Sequence, residues 1–421
     1  MKVVSVLSAV TLLCLPTSGL AAGSVSPERF VSFVLEASDD GPGDYLGEAL
    51  AFEGNTVIVG AKRTGGGAAY VFERTRDGWI ETAKLTAADG GNWFGFFAAL
   101  EDDTAMVGSS LTNSVHVFER TPASTPPWKE VAKLTPPPVG TSQSGFGIGL
   151  DFEGDTAVVG ARAAFNGLGA RTGLTFVFDR DLGGPGAWGQ AARLLPEDGE
   201  GGDRFGQAVV IEGTTIAVGA PSHDAMGLNS GAVYIFERDP SQPEGWGQTV
   251  KLVPEEASPF ALFGEALAFH GDVLVVGAVT SDVDSLANAG QVYVFERRSE
   301  SSWEAVQKIS AADITEDGMF GAGVAFDGNR LLIGATGTER GYLYERSTDT
   351  GDWFEVAQLV PGHAPNSSFP VADGVSLWGD TLLVGVPDAD EGNGFVAGFD
   401  LPLFADGFER GDLTAWSGIL P

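Results

Sequence analysis

The stretch FGQAVVIEGTTIAVGA, residues 205–220, decides the fold because its frame, FG-x-A-x4-G-x4-VGA, is written again and again along the chain. The two outer glycines are always 13 residues apart: Gly47/Gly60, Gly95/Gly108, Gly147/Gly160, Gly206/Gly219, Gly264/Gly277 and Gly321/Gly334. A seventh, degraded copy carries Ala372 and Gly385. The second glycines follow one another at 48, 52, 59, 58, 57 and 51 residues. Such a period suits a propeller blade with loops of varying length, and an array of units that pack on their neighbours overrides any domain count taken from length.

Each copy reads as four strands, here a to d. In the fourth unit they are FGQAVVI (205–211), Thr215 to Ala220, AVYIFER (232–238) and Gln248 to Leu252. The runs are short, rich in Val, Ile, Phe and Tyr, and bounded by Gly, Pro, Asp or Asn, which are strand signals. Side chains alternate along AVYIFER, so Val233, Ile235 and Glu237 face one way and Tyr234, Phe236 and Arg238 the other. The a–b connection is a tight turn, as in Glu53-Gly54-Asn55, Glu153-Gly154-Asp155 and Trp378-Gly379-Asp380, where glycine supplies a positive φ. The Gly-Ala after strand b suits close approach of neighbouring backbones. The tryptophans of the c–d connections, Trp79, Trp128, Trp188, Trp246, Trp303 and Trp353, are expected to pack between blades.

The last unit has strands near Val371 to Leu377, Thr381 to Val386 and Phe395 to Leu401, but no strand d. An orphan segment, Phe30 to Ala37, resembles the d strands and is expected to complete the last blade. The fold class is therefore all-β, a seven-bladed propeller of four-stranded blades closed by an N-terminal strand, over residues 29–402. Closure of this kind removes sheet edges that invite aggregation.

Phe205-Gly206 with Val218-Gly219-Ala220-Pro221, Phe263-Gly264 with Val276-Gly277-Ala278, and their counterparts resemble the FG-GAP repeats of the integrin α-subunit propeller. They resemble still more the bacterial exported proteins built from such repeats. A kelch-type propeller shares the Gly-Gly, Tyr and Trp cues but does not explain the FG…VGA pairing. The resemblance implies a propeller and, through its integrin relatives, an adhesion-like role; it also implies a calcium site in the a–b loop of the D-x-D-x-D-G-x-x-D kind. Here every a–b loop is about three residues with at most two acids, and calcium takes six to eight oxygens. That calcium site is not expected at these positions, and no cofactor is required by this reading.

Lys2, the apolar run Val3 to Leu15 and the small residues of Gly19-Leu20-Ala21 read as a signal peptide, residues 1–21, cleaved near Ala21 or Ala22. The only cysteine, Cys14, lies inside it, so the mature chain would need no disulfide. No later segment is expected to span a membrane as a helix. At the other end, residues 403–421 hold D-G-F-E-R-G-D-L-T-A-W-S, which resembles a C-terminal pattern of exported bacterial proteins and suggests a sorting or display tag. The formal charge is −33, with 57 acidic and 24 basic residues. That argues against nucleic acid as a partner. A monomer is expected.

Loop length varies mostly in the b–c connections, such as Arg162 to Thr172, Pro221 to Ser230 and Val279 to Ala289, and in d–a connections such as Pro196 to Asp203. Function is expected on these variable loops, held by a rigid scaffold, with a protein or glycan as partner. They carry many acids, among them Asp39, Asp40, Asp44, Glu197, Asp198, Glu200, Asp203, Asp313, Glu316 and Asp317. Asp282-x-Asp284 and Asp388-x-Asp390-Glu391 have the alternation that could turn two carboxylates toward one cation, and are the metal candidates. No G-x-S-x-G, H-E-x-x-H or cysteine nucleophile is present. The histidines His116, His223, His270 and His363 are scattered; His223-Asp224 is the one acid–base candidate. The expected function is a non-enzymatic, exported binding or adhesion-like module. The alternatives are a hydrolase or lyase acting on extracellular polysaccharide, and a passive envelope component.

Overall fold

The computed structural model describes residues 27–401 apart from 40, 42, 63–65, 91, 122–124, 138–143, 168, 240, 242–244, 257, 300, 363–373 and 388. The signal peptide, Cys14, His363, Asp388 and the C-terminal tail therefore lie outside the described residues.

Seven antiparallel sheets are each built in the order a–b–c–d. Blade 1 is Leu46–Glu53, Thr56–Ala61, Ala68–Thr75 and Gly78–Leu85. Blade 2 runs from Phe94–Glu101 to Trp128–Leu134, blade 3 from Phe146–Glu153 to Gly189–Leu194, and blade 4 from Val209–Glu212 to Trp246–Leu252. Blade 5 runs from Phe263–His270 to Ser302–Ile309 and blade 6 from Phe320–Phe326 to Trp353–Val360. Blade 7 has Val375–Trp378, Thr381–Val386 and Phe395–Asp400. Strands a of successive blades touch around the whole ring and surround its axis.

The N-terminal segment does two jobs where one was expected. Strand β1 (Glu28–Phe30) pairs in parallel with strand d of blade 6, Arg29 opposite Leu359. Strand β2 (Phe33–Leu35) then pairs antiparallel with Phe395–Asp400 and supplies the missing fourth strand of blade 7. Phe30 thus belongs to the edge of blade 6, and closure of the ring starts at Phe33. The ring of Phe33 lies over Gly398 and stacks 5.7 Å from Trp79 of blade 1, so the closing strand also joins the last blade to the first.

The repeated residues are explained by the joints between blades. Each apolar cluster mixes side chains of two adjacent blades, including blades 7 and 1. The alternation in AVYIFER holds: Tyr234 and Phe236 pack toward blade 3, Val233 and Ile235 toward blade 5. The tryptophans expected in the c–d connections stand at the start of strand d, or just before it at Trp188, and each sits in the cluster its blade forms with the blade before it, as Trp246 does with Val177 and Leu194. The FG phenylalanines are fully buried; Phe205 meets Tyr234 and Phe236 edge-on at 5.6 and 6.0 Å. Each such ring contributes roughly 2–3 kcal/mol through burial.

Glycine is required at two of these contacts. The carbonyl of each FG glycine is pressed onto the VGA glycine of the preceding blade: Gly95 on Gly60, Gly206 on Gly160, Gly264 on Gly219 and, across the closure, Gly47 on Gly385. The glycine before strand c then bridges in parallel to the next Phe, as in Gly173 with Phe205 and Gly231 with Phe263. A β-carbon at any of these positions would overlap backbone.

Candidate functional site

Because consecutive strands are antiparallel, the a–b and c–d turns share one face of the ring and the b–c and d–a loops share the other. On the first face, three sets of repeated polar groups are occupied in holding blades together. The turn glutamates accept backbone N–H groups of the next turn: Glu53 from Asp102 at 2.5 Å, Glu101 from Gly154 at 2.6 Å, Glu212 from Gly271 at 3.0 Å. The Phe-Glu-Arg motif points Glu forward and Arg backward, so Arg297 reaches Glu237 at 2.8 Å and Arg180 reaches Glu119 at 3.0 Å. The same arginines lie over the Trp of their own blade, Arg180 5.1 Å from the centre of Trp188 and Arg297 6.0 Å from that of Trp303. His270 stands in the glutamate slot of blade 5 and packs on Phe326 instead.

On the loop face a fourth set appears, which periodicity alone did not flag. An acid from the d–a loop of one blade binds the Tyr of strand c and the Lys of strand d in the next. Asp39 takes Tyr70 at 2.8 Å and Lys84 at 2.5 Å; Asp198 takes Tyr234 at 2.8 Å and Lys251 at 2.6 Å. The Lys84 hydrogen bond holds Asp39 below the ordinary carboxylate pKa. Burial works against the Asp198 carboxylate, but Lys251 and Tyr234 outweigh it and its pKa is also lowered. These acids of the loop face are thus committed to inter-blade contacts. The signal that could have found them is the recurrence of Tyr and Lys at fixed places in strands c and d.

His223 does not pair with Asp224, whose carboxylate accepts the Asn229 N–H at 2.7 Å. It pairs instead with Asp203 at 2.9 Å through Nδ1 and with Lys251 at 2.7 Å through Nε2. A second chain, Ser114 Oγ to His116 Nε2 at 3.0 Å and His116 Nδ1 to Glu130 at 2.8 Å, has the order of a hydrolytic triad. Ser114 and His116 are fully buried, and Thr112 Oγ1 lies 2.9 Å from the serine oxygen. That hydroxyl is closed to any substrate.

Asp282 and Asp284 line one cleft of about 380 Å³ with Glu256, Ser258 and Lys308. Asp282 accepts the Asn288 N–H at 3.1 Å, and Lys308 lies 3.6 Å from Glu256. Asp390 and Glu391 fall in a single helical turn, Ala389–Gly392. No group of three or more acidic, histidine or cysteine side chains that could hold a metal comes together among the described residues.

What remains unpaired on the loop face does not repeat. Leu111, Phe165, Met226, Leu228 and Phe260 are large apolar side chains about half exposed on b–c or d–a loops. Phe260 holds a φ of 65°, a conformation that costs a non-glycine residue about 1–2 kcal/mol, and its N–H donates to Leu228 O at 2.7 Å. Between blades 3 and 4, Arg162, Arg171 and Arg204 come together, with Arg162 donating to Gln207 Oε1 at 2.9 Å. On the opposite face Leu182 and Trp378 are exposed singly.

A family described as FG-GAP repeat matches residues 34–72, 128–178, 188–236, 246–295 and 303–351, more than half of the chain. Each matched unit except the first begins at the Trp that opens strand d, and each ends in a strand c or, for the last, in the c–d turn after it, so the family's unit straddles the joint between two blades. Among curated proteins none matches the chain. Among solved structures the chain is similar to the RRP9 WD40 repeats at 10% identity and a TM-score of 0.56, covering 88% of this chain and 98% of that one. It is also similar to Sqt1 of Saccharomyces cerevisiae at 12% identity and a TM-score of 0.50, covering 90% and 100%. At these identities the likeness is one of fold.

Proposed function

The chain belongs to the FG-GAP repeat family, and on that premise we propose that it is an exported, non-enzymatic binding module that meets its partner with the b–c and d–a loops. One observation carries this reading. The repeated polar groups of the turn face are spent on neighbouring blades, whereas the exposed apolar side chains Phe165, Met226, Leu228 and Phe260 stand on irregular loops of the other face. Exposed apolar groups on loops held by a rigid frame are the usual makings of a recognition surface. The burial of Ser114 and His116 favours a binding role over hydrolysis. Export rests on the leader at residues 1–21, and residues 403–421 serve as a display or sorting tag in this reading. Adhesion to a protein or glycan of the cell surface follows as the role, with no nucleic acid partner for a chain of charge −33.

The test is a glycan array and an envelope-protein overlay probed with the mature chain. Met226→Asp, Leu228→Asp and Phe260→Asp should abolish capture, while Leu182→Asp and Trp378→Ala on the opposite face should leave it intact. The reverse pattern sinks the proposal.

A further inference from the structure

The strongest anomaly on the surface is electrostatic. The chain carries 57 acids and 24 bases. The lysines and arginines of the repeat are matched to carboxylates, as in Lys84–Asp39, Arg180–Glu119, Lys251–Asp198 and Arg297–Glu237. Arg162 stands where blade 1 has Lys62, which is paired with Glu48, but Arg162, Arg171 and Arg204 have no carboxylate in ion-pair range among the described residues.

Backbone hydrogen bonds gather them. The b–c loop of blade 3 carries Arg162 and Arg171, and Arg171 Nε donates to Ala163 O at 3.0 Å. The following d–a loop is tied to it by Gly202 N to Arg171 O at 2.9 Å and Phe205 N to Thr172 O at 3.0 Å. Arg204 O accepts the Gln207 N–H at 3.0 Å, and the Gln207 side chain holds Arg162. The stem of Arg162 runs beside Gly145, within van der Waals reach of it. Burial lowers the pKa of Arg162; the charges of Arg204 and Arg171 add to that and Glu265 opposes it. The three positive charges outnumber the one carboxylate that acts on Arg162 and Arg204, the nearly buried Glu265, which accepts from the Gln207 amide at 2.7 Å, so a further anion relieves the repulsion that remains. Phe165 sits on the same loop between Arg162 and Arg171 with its ring about half exposed.

We propose that Arg162, Arg171, Arg204 and Phe165 form a binding site for a carboxylate-bearing sugar chain, a polymer of uronic acid residues. The planar guanidinium fork accepts a carboxylate through two parallel hydrogen bonds, which a lysine cannot reproduce. A pyranose ring offers a flat face of C–H groups that can cover Phe165, and each uronate places its carboxylate at the edge of that ring. An acidic peptide has carboxylates but no such face, so the pairing of aromatic and arginines favours the sugar. The rest of the surface repels polyanions, so any polyanion that binds is read by this island. The site names the partner of the loop face and rests on the module reading above.

The experiment is calorimetric titration of the mature chain with oligogalacturonate, and in parallel with dextran sulfate, neutral dextran and poly-glutamate. Oligogalacturonate should bind, more weakly as salt rises, and neutral dextran should not. The double variant Arg171→Glu/Arg204→Glu should weaken binding at least about tenfold, since it reverses two exposed charges. Phe165→Ala should weaken it several-fold, and Arg76→Glu in a c–d turn should change nothing. Melting temperatures of the variants should stay near that of the parent. Binding unchanged in the arginine double variant overturns the site. So does poly-glutamate or dextran sulfate binding as tightly as oligogalacturonate, or no binding at all. If no uronate binds but Met226→Asp still abolishes capture on the array, this site is refuted and the module reading stands; if neither responds, both fall.

Discussion

The carbonyl oxygen of Gly206 in blade 4 lies where a β-carbon on Gly160 in blade 3 would have to be. The two glycines of each repeat follow from this contact, and their 13-residue spacing is that of the a–b hairpin, where Gly206 N donates to Gly219 O at 3.0 Å. One glycine of each pair presses back on the preceding blade, and the other receives the next. Gly160→Ala should therefore destabilise the protein by about 3 kcal/mol or more, because backbone on both sides must move. Gly213→Ala, at a turn with φ of 58° and open space around it, should cost only about 1–2 kcal/mol of strain. Thermal or denaturant unfolding of the two variants checks the contrast, and equal losses would contradict the joint.

The blade count, the four-strand unit, the inter-blade tryptophans and the closing strand were legible in the sequence because each is a local pattern repeated in phase. What escaped is of two kinds. The Tyr–Lys–Asp sets were hidden because their members come from two blades, so Asp39 looked like one more loop acid until Tyr70 and Lys84 were seen to hold it. The arginine cluster was hidden because Arg171 and Arg204 have no basic counterparts in other units and Arg162 matches only Lys62, so only the packing of two loops unites them. The double use of the N-terminus escaped because a three-residue strand such as Glu28–Phe30 has no periodicity to read.

Ring closure depends on a strand of three residues, Phe33–Leu35. Without it, Phe395–Asp400 becomes an open edge and Leu383 and Val396 lose Leu35 as a neighbour in the cluster they share with blade 1. A chain beginning at residue 38 should unfold at a markedly lower temperature and aggregate through the exposed strand. Phe33→Ala should show a milder form of the same defect, about 2–4 kcal/mol, from loss of its contacts with Trp79 and Gly398. Size-exclusion chromatography and melting curves measure both effects.

The Arg297–Glu237 pair is largely shielded from solvent, joins blades 5 and 4, and has Trp303 behind the guanidinium. A double-mutant cycle of Arg297→Ala and Glu237→Ala should give a coupling of about 1–2 kcal/mol, above that of an exposed pair. The exposed pair Arg298–Glu304, both residues on blade 5, is the control and should couple much more weakly. Similar couplings for the two would show that the ladder adds nothing to the docking of blades.

Stability should rise as the pH falls from about 8 toward 5. Burial pushes the Asp151 carboxyl up to about 7, and it also raises Glu53, Glu101 and Glu265. A folded-state pKa above the unfolded value means that the native state binds protons more readily, so stability is lost as pH climbs through the folded pKa. The opposite holds for Asp39, Asp89 and Asp198, whose pKa values are lowered. Their contribution is present at neutral pH and disappears as they protonate below about pH 4. The melting temperature should therefore peak in mildly acidic buffer. Asp151→Asn, which cannot ionise, should flatten the limb between pH 5 and 8 even if it lowers stability throughout.

Calcium should leave the melting temperature unchanged, and so should its removal with a chelator. The a–b turns are where a repeat of this family would hold the ion, and here their acids are already used as acceptors. Glu53 accepts Asp102 N–H, Glu101 accepts Gly154 N–H and Glu212 accepts Gly271 N–H, each from the next turn along the ring. A cation drawn to such a turn would have to break the contact between two blades to gather its ligands. Binding to the native state would otherwise raise the melting temperature in proportion to the logarithm of ion concentration. A rise of that form in millimolar calcium, abolished by Glu101→Gln, would place the ion in the turns after all. A rise abolished by Asp282→Asn would place it in the cleft beside Glu256 instead.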